Sequence, residues 1–481
     1  MELVTKKAMK CIQEADVIVY DNLIDISLLN YASLNTELIY AGKEAANHYL
    51  SQGSIIELLM DKAREGKYVV RLKGGDPYLF GRGSEEALAL KEAGISYEIV
   101  SGVTSSIAVP AYAGIPVTDR RFVSSCHIIT AHREDEAGID FENISKLEGT
   151  LVFMMGLAKL HHIVQGLTLN GKASGTPVAV LSDGSRYNRR KCVGTLEDIE
   201  EKVKEAKLLP PAIIVVGEVV SLSNELDNFL ERYSDKKLFR KKILLTGTRY
   251  ICNKIKAALA NEGCDIDEIS IIESVPIESD FYNNIEKYIE SHDYLVFSSA
   301  NGIRVFFEKL KELHNVDLRK LSNIKFAVIG KGSAQTLRNY GYIADFVPSS
   351  FSNKDLAVEL CKQLKGEKLL LLRAREASAE LVEELEANKV EYTDVSLYET
   401  FRDYRRTFDI KRLIKNYDYV VVASSITAHT LCEMVEDKAL LEGRLVSIGP
   451  VTTGTCKRLG VEPLMSAREY SVDGIVRVLL Q

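Results

Sequence analysis

The sequence predicts an α/β protein with mainly parallel β-sheets. Short apolar runs rich in Val and Ile alternate with longer segments of helical periodicity along the whole chain, which is typical of repeated β-α-β units. With 481 residues, the chain exceeds what one hydrophobic core usually serves, so we expect at least two domains. A hydrophobic fraction of 46% and a charged fraction of 27% are ordinary for a globular protein.

The first half of the chain contains six candidate strands, at 17–20, 68–72, 97–100, 151–155, 178–181 and 212–216. An amphipathic helix precedes the first of them in MELVTKKAMKCIQEADVIVYD. After the sixth strand comes the polar and charged run SLSNELDNFLERYSDKKLFRKK, and the next apolar strand begins only at Ile243. We therefore predict domains at 1–225 and 241–481, joined by a linker at 226–240.

The second half contains an internal repeat. DYLVFSSANGIRVFF (293–307) resembles DYVVVASSITAHTL (418–431), and AVIGKGSAQTLRNYG (327–341) resembles VSIGPVTTGTCKRLG (446–460). Two similar lobes with a ligand cleft between them would follow, since open α/β sheets bind ligands at the ends of their strands. Hydroxyl residues occupy the strand-to-helix turns of both copies: Ser298, Ser299, Ser333, Ser424, Ser425, Thr452 and Thr453. Each is most simply a helix N-cap, and together they could also bind a ligand with many carboxylates.

Charge and cysteine content exclude several functions. The net charge of -7, with both signs interspersed, lacks the clustered basic face of a nucleic-acid-binding protein. No run of eighteen apolar residues predicts a membrane span. The eight cysteines contain no C-x-x-C pair, so their spacing does not favour structural zinc and fits a protein of the reducing cytoplasm.

The stretch VVRLKGGDPYLFGRG (69–83) is the clearest candidate for a ligand site. Gly74 and Gly75 can place bare backbone against a ligand, and Asp76 can accept hydrogen bonds from a ribose or an amine. The loop is neither a P-loop nor a dinucleotide-binding loop, because it lacks both G-K-[ST] and G-x-G-x-x-G. The residues alone therefore indicate a site for a small ligand such as a nucleoside.

Four segments of the first half resemble uroporphyrinogen-III C-methyltransferases over residues 1–222: RLKGGDPYLFGRG, SGVTSSIAVPAYAGIPVTDRR, TLVFMMG and TPVAVLSDGSRYNRRKCVGTL. The resemblance implies a methylase fold of two α/β subdomains. It also implies S-adenosylmethionine-dependent methylation of uroporphyrinogen III at C2 and C7, giving precorrin-2 on the route to sirohaem and cobalamin. Implied contacts to the methyl donor come from Gly74, Gly75, Asp76, Leu79, Thr104, Ser105, Met155 and Gly184. The proton acceptor and the proton donor of the family match Asp21 and Lys43.

Simpler interpretations of these residues remain open. By the residues alone, Asp21 is a loop cap, Lys43 is a solvated charge, and Leu79 and Met155 are core residues. Methyl transfer to an electron-rich pyrrole needs orientation and proton removal, so no metal is required. Six arginines near these motifs could hold substrate carboxylates: Arg71, Arg82, Arg120, Arg121, Arg186 and Arg189. The family begins with an earlier strand and a G-x-G-P-G-D loop, which we expect this domain to lack.

The second half resembles uroporphyrinogen-III synthases over residues 240–481. The resemblance rests on ILLTGTR (243–249), on SLYETFR (396–402) and on the repeated segments. It implies two Rossmann-like lobes with a cleft, and cyclisation of hydroxymethylbilane with inversion of ring D, without a cofactor. Tyr398 matches a tyrosine that assists departure of the substrate hydroxyl, and Thr452 matches a threonine of the cleft. Packing between the lobes for Tyr398, and helix capping for Thr452, remain alternatives.

Together the two resemblances predict a bifunctional tetrapyrrole enzyme of the cytoplasm. Its expected partners are small-molecule tetrapyrroles and a second copy of the chain, bound through the methyltransferase half, without nucleic acid or membrane. One alternative is that only the synthase is active and that the first half is a scaffold or a tetrapyrrole-binding module. A two-lobed binding protein without chemistry would fit the repeat, but it would leave the GGDP loop, Asp21 and Lys43 without a role.

Overall fold

A computed structural model describes residues 2–42, 50–131, 138–313, 317–350 and 352–481. These residues form four β-sheets with helices packed against them, two sheets in each half of the chain. The α/β prediction is confirmed. None of the helices in the described ranges has the length and apolar character needed to span a bilayer.

The first sheet is parallel and contains three strands in the order β2-β1-β3. Its central strand is buried at all four positions and is preceded by the predicted amphipathic helix. The strands of this region are β1 (Val17–Tyr20), β2 (Glu37–Tyr40) and β3 (Val69–Leu72), and the helices are α1 (Lys6–Glu14), α2 (Gln52–Arg64), α3 (Gly83–Glu92) and α4 (Ser105–Tyr112).

The prediction of a strand at 97–100 is wrong. These residues form no strand, and Ile99 and Val100 line a large cavity beside β3. A strand needs a hydrogen-bonded neighbour, and within the described residues β3 pairs only with β1. The other five predicted strands are confirmed to within two residues at each end.

The second sheet has five strands in the order β4-β5-β8-β6-β7, and only β4 and β5 are parallel. The prediction of parallel pairing was therefore wrong for this sheet. The loop at 183–189 between β6 and β7 is too short for the crossover that parallel neighbours need. The strands are β4 (Cys126–Thr130), β5 (Thr150–Met154), β6 (Pro177–Ser182), β7 (Arg190–Thr195) and β8 (Ala212–Val216), and the helices are α5 (Phe141–Ile144), α6 (Leu160–Leu169), α7 (Ile199–Glu205), α8 (Ser223–Leu226) and α9 (Phe229–Tyr233).

The second half forms two lobes, with sheet orders β10-β9-β16-β17-β18 and β11-β15-β14-β12-β13. Every pair is parallel except β11 with β15. The strands are β9 (Lys242–Gly247), β10 (Asp265–Ser270), β11 (Ile272–Pro276), β12 (Tyr294–Phe297), β13 (Lys325–Val328), β14 (Leu369–Ala374), β15 (Tyr392–Arg402), β16 (Tyr419–Val422), β17 (Leu445–Ser447) and β18 (Met465–Ser466).

The internal repeat predicted for this half is confirmed, since β12-α13-β13-α14 and β16-α18-β17-α19 are successive strand-helix units with parallel strands. The helices are α10 (Arg249–Ala258), α11 (Asp280–Asn283), α12 (Ile285–Glu290), α13 (Ala300–Glu312), α14 (Lys331–Arg338), α15 (Asn353–Cys361), α16 (Glu380–Ala387), α17 (Thr407–Leu413), α18 (Ser425–Met434), α19 (Gly449–Arg458) and α20 (Val472–Leu479). Short 3-10 segments lie at Ile26–Tyr31, Leu157–Lys159, Glu218–Leu222, Leu318–Asn323, Tyr404–Arg406, Ile414–Asn416 and Lys438–Leu440.

The two halves share one hydrophobic core. Ile12 and Ile18 of the first half belong to the same buried cluster as Leu244 and Ile410 of the second half, and all four side chains are fully buried. Burying one such side chain contributes about 1.5–3 kcal/mol, so a few of them already fix how the halves meet. The domain limits at 225 and 241 stay a prediction.

Candidate active sites

Five of the residues predicted to contact the methyl donor line one cavity of about 1710 Å³: Gly74, Gly75, Ser105, Met155 and Gly184. They come from four motifs that are far apart in the chain. The same cavity is lined by Arg71, and by Lys256 of the second half. The structure thus brings the separated motifs together, in a space larger than the 300–1,000 Å³ or so of a typical small-ligand pocket.

Close backbone contacts hold these motifs together. A Cβ on Gly74 would lie 2.8 Å from the carbonyl oxygen of Leu23, and a Cβ on Gly102 would lie 2.1 Å from the carbonyl oxygen of Gly75. A Cβ on Gly184 would lie 2.2 Å from Val109 Cγ1 on α4. These glycines are therefore required by packing, whereas Gly75 is required by its φ of +78°. Gly102 was not among the predicted residues, although it lies inside the motif SGVTSS.

The other predicted donor contacts have structural roles that the sequence alone did not show. Asp76 accepts hydrogen bonds from the backbone N–H groups of Tyr78 (2.9 Å) and Gly102 (3.0 Å), so it braces the loop against its neighbour. Thr104 is the N-cap of α4 and accepts from the N–H of Ser106. Met155 is half-exposed and has a left-handed backbone, with φ of 55°, whereas Leu79 is partly buried.

Asp21 lies directly after β1 in a network of charges. Its Oδ2 accepts from Arg71 Nη2 at 3.3 Å, and its Oδ1 accepts from the N–H of Leu23 at 3.0 Å. Behind it, the buried Glu86 binds Lys73 Nζ at 2.8 Å and lies 3.5 Å from Arg71 Nε. Burial lowers the pKa of Lys73. The loop-cap interpretation of Asp21 is therefore correct for one oxygen, while the other oxygen is oriented by a guanidinium.

The second predicted proton-transfer residue, Lys43, lies outside the described residues. Of the six arginines that could hold carboxylates, five form ion pairs inside the protein. The pairs are Arg71–Asp21, Arg82–Glu85, Arg121–Asp119, Arg186–Asp267 and Arg189–Asp227. Arg120 forms no ion pair with any residue in the described ranges.

In the second half, Tyr398 lies where β15 changes register against β14. The irregularity places Tyr398 opposite Ala374, and bulges of this kind redirect side chains. Its hydroxyl shares a hydrogen bond of 2.8 Å with the hydroxyl of Ser299, which also caps α13. Burial raises the pKa of Tyr398, so the phenol stays protonated at neutral pH and can donate a proton.

Three hydroxyl residues at the strand-to-helix turns show two different arrangements. Ser299 and Ser424 are N-caps, since they accept from the N–H groups of Gly302 and Thr427. Thr452 is fully buried in the first turn of α19, and its hydroxyl has no hydrogen-bond partner among the described residues. A buried hydroxyl without a partner is costly, so helix capping does not explain Thr452.

Tyr250 and Arg304 form a contact between the two lobes that the sequence analysis missed. The guanidinium carbon of Arg304, on α13, lies 3.6 Å from the ring centroid of Tyr250, on α10. One guanidinium nitrogen of Arg304 and the hydroxyl of Tyr250 are buried without a hydrogen-bond partner in the described part of the chain. Burial alone would raise the pKa of Tyr250, but the adjacent side chains of Lys254 and Thr336, followed by the charge of Arg304, outweigh burial and lower it. The only signal in the sequence was an arginine inside the apolar run NGIRVFF.

Two family models match the chain. Residues 1–200 match the tetrapyrrole (corrin/porphyrin) methylases, and residues 253–477 match uroporphyrinogen-III synthase HemD. The two matches cover different segments of the chain, and each segment contains most of the residues of one candidate site.

Curated relatives agree with both matches. The porphyrin biosynthesis protein HemD of Ruminiclostridium josui is 34% identical over 486 residues, which cover 100% of this chain and 95% of that protein. The uroporphyrinogen-III C-methyltransferase of Methanocaldococcus jannaschii is 49% identical, over 46% of this chain and 92% of that protein. The S-adenosyl-L-methionine-dependent uroporphyrinogen III methyltransferase of Methanosarcina barkeri is 48% identical, over 47% of this chain and 89% of that protein. The chain therefore belongs to the same family as the R. josui porphyrin biosynthesis protein, as a fusion of a tetrapyrrole methylase with a uroporphyrinogen-III synthase.

Proposed function

We propose that the chain catalyses two successive reactions of tetrapyrrole biosynthesis. The second half cyclises hydroxymethylbilane to uroporphyrinogen III with inversion of ring D, without a cofactor. The first half then methylates this product at C2 and C7 with S-adenosylmethionine, giving precorrin-2 for the sirohaem or cobalamin route. The observation that carries the proposal is the single cavity lined by residues of four separate motifs.

The residues around this cavity fit S-adenosylmethionine. Gly75 lines the cavity, and among the described residues a Cβ on it would meet only Val103 O, at 3.9 Å, so the glycine keeps that part of the cavity free. Ser105 and Thr104 offer hydroxyls and Met155 offers a polarisable apolar wall. When bound, S-adenosylmethionine supplies an electrophilic methyl group. Support for this donor comes from the M. barkeri relative, which is S-adenosyl-L-methionine-dependent.

Asp21 is the proposed proton acceptor of the methyl-transfer reaction. A pyrrole that gains a methyl group must lose a proton, and a carboxylate next to the cavity residues Asn22 and Arg71 can take it. Arg71, which lines the cavity, orients this carboxylate through the bond of 3.3 Å. Lys43 is proposed as the proton donor, and arginines near the cavity would hold the substrate carboxylates.

Tyr398 is the proposed proton donor of the cyclisation. Loss of the substrate hydroxyl as water requires a proton, and a buried phenol with a raised pKa holds one at neutral pH. Ser299 fixes the direction of the phenol hydroxyl through their shared hydrogen bond. The buried Thr452 hydroxyl and one Arg304 nitrogen, which have no hydrogen-bond partner among the described residues, are proposed to bind substrate, because a ligand would satisfy them. We place both reactions in the cytoplasm, and we propose a homodimer through the first half.

The test is an anaerobic assay of the complete chain with hydroxymethylbilane, with and without S-adenosylmethionine, followed by mass and isomer analysis of the products. We expect uroporphyrinogen III without the donor and a doubly methylated product with it. Unmethylated uroporphyrinogen III in the presence of the donor would overturn the first activity and leave a synthase with a binding module. Formation of isomer I alone would overturn the second activity.

A further inference from the structure

A helix of the synthase half contacts the residues on either side of Asp21. Tyr20, the last residue of β1, donates its hydroxyl to Asp409 on α17, at 3.1 Å from both carboxylate oxygens. Asn22, which follows Asp21, accepts a hydrogen bond from the guanidinium of Arg412 on the same helix. Asp21 therefore lies between two residues that the synthase half holds in place.

The same helix also contacts the carboxyl end of the neighbouring strand. Tyr40 is the last residue of β2, and its ring lies 5.0 Å from the ring of Phe408. The guanidinium carbon of Arg412 lies 4.6 Å from the centroid of the Tyr40 ring. Helix α17 thus touches the ends of both β1 and β2, the two strands from which the chain leads into Asp21 and toward Lys43.

Buried charge makes this contact rigid. Asp409 is completely buried, and its carboxylate accepts from Arg406 Nε at 3.1 Å and from Arg412 at 3.4 Å. Arg406, also buried, donates to the side chain of Asn30 at 2.7 Å and to the carbonyl of Ile26 at 3.2 Å. A buried carboxylate with several charge-assisted partners loses much of its stabilisation when displaced, so it fixes the groups bonded to it.

Tyr20 remains a donor over the whole physiological range. Burial, followed by the charge of Asp409, raises the pKa of Tyr20 well above its usual value. The hydroxyl therefore keeps its proton at neutral and moderately alkaline pH, and Tyr20 remains able to donate to Asp409 there.

We propose that Asp409 and Arg412 of the synthase half are positioning residues for the methyl-transfer reaction of the first half. They fix Tyr20 and Asn22, and through them the backbone of Asp21, relative to the cavity. Reaction rates depend steeply on such positions, because a displacement of about 1 Å can reduce a rate by about 100-fold. The proposal rests on the proposed function and makes the methyltransferase half dependent on the fused synthase half.

The experiment compares Arg412→Ala with Lys411→Ala in the complete chain. Lys411→Ala is the matched control, because this substitution also removes one positive charge from α17. Among the described residues, Lys411 pairs with Glu436 inside the synthase half and not with the first half. Methyl transfer is assayed with supplied uroporphyrinogen III, cyclisation with hydroxymethylbilane, and S-adenosylmethionine affinity by titration. For Arg412→Ala we expect the kcat of methyl transfer to fall about tenfold, with the KM for the donor and the rate of cyclisation unchanged.

Two further variants separate positioning from folding. Arg412→Lys keeps a cation that can reach Asp409 and Asn22, and it should recover most of the lost kcat. Tyr20→Phe removes only the hydroxyl that donates a hydrogen bond to Asp409. It should lower the kcat of methyl transfer with little change in the midpoint of thermal unfolding.

The inference is overturned if Arg412→Ala and Lys411→Ala methylate at the same rate. It is equally overturned if the Arg412 variant loses both reactions together with its thermal stability, because that result indicates a structural contact alone. Failure of the unsubstituted chain to methylate would instead refute the proposed function, and this inference with it.

Discussion

The two candidate sites are built on opposite principles. The site in the first half consists of bare backbone around a large cavity, with Gly74 and Gly102 in close contact with other backbone atoms and Gly75 in a left-handed conformation. The site in the second half consists of functional groups, with the hydroxyls of Tyr398 and Ser299 paired and those of Tyr250 and Thr452 buried without a hydrogen-bond partner among the residues that the structure describes. The first site should therefore fail when atoms are added, and the second when atoms are removed.

The largest effect is expected for Gly102→Ala. The new methyl group would lie 2.1 Å from the carbonyl oxygen of Gly75, so the GGDP loop must move away from the segment at 101–102. We expect methyl transfer to fall by about 100-fold or more, because the predicted donor contacts Gly74 and Gly75 move with the loop. The measurement is the initial rate of methylation of supplied uroporphyrinogen III.

Gly175→Ala serves as the control for this substitution. No atom of the described ranges lies within 4 Å of a Cβ added to Gly175, so the same chemical change there meets open space. Cyclisation should be unaffected in both variants. Methylation by Gly102→Ala at a rate within threefold of the Gly175 variant would show that the close backbone contact does not shape the site.

Tyr398→Phe tests the opposite principle, with a smaller expected effect. It removes one oxygen and leaves the packing of β15 intact, so we expect cyclisation to fall about 30-fold while methylation of supplied uroporphyrinogen III is unchanged. Since burial raises the pKa of Tyr398, the rate of the unsubstituted chain should not decline between pH 7 and 9 through loss of this proton. Tyr404→Phe, at a half-exposed tyrosine of the same half, is the control. Equal rates in the two variants would exclude Tyr398 as the proton donor.

Local patterns explain what the sequence could predict. The GGDP loop, the strand-to-helix hydroxyls and the internal repeat are contained in short segments, so their residue types could be interpreted without the fold. The strand at 97–100 was wrong because pairing depends on a neighbour that lies far away in the chain. The contact of Tyr20 with Asp409 could not be predicted for the same reason, since the charged segment FRDYRRTFD (401–409) is typical of solvated surface.

The third test concerns the contact between the two halves of the chain, at Glu268 on β10. This side chain is buried, and its Oε1 has no hydrogen-bond partner within the described residues. Burial raises the pKa of Glu268 to about 7, although the charges of Lys256 and Arg249 act against burial. Because the folded protein binds this proton more tightly than the unfolded chain, stability falls as pH rises from about 4.5 to 7 and the penalty is complete above that range.

Glu268→Gln should therefore stabilise the protein at alkaline pH. We expect the free energy of unfolding to rise by about 1–2 kcal/mol at pH 8, and by less than half of that at pH 5.5. The full pKa shift corresponds to roughly 3 kcal/mol. The expected gain is smaller because the substitution also removes a negative charge near Lys256 and Arg249. Thermal unfolding at the two pH values measures the difference, with the exposed Glu442→Gln as control. An equal gain in stability at both pH values would show that the amide improves packing and that ionisation of Glu268 does not destabilise the protein. A gain confined to alkaline pH would mean that the contact between the halves is stabilised when a charge is removed and every heavy-atom position is kept. In this respect it would differ from both candidate sites, which respond to added or removed atoms.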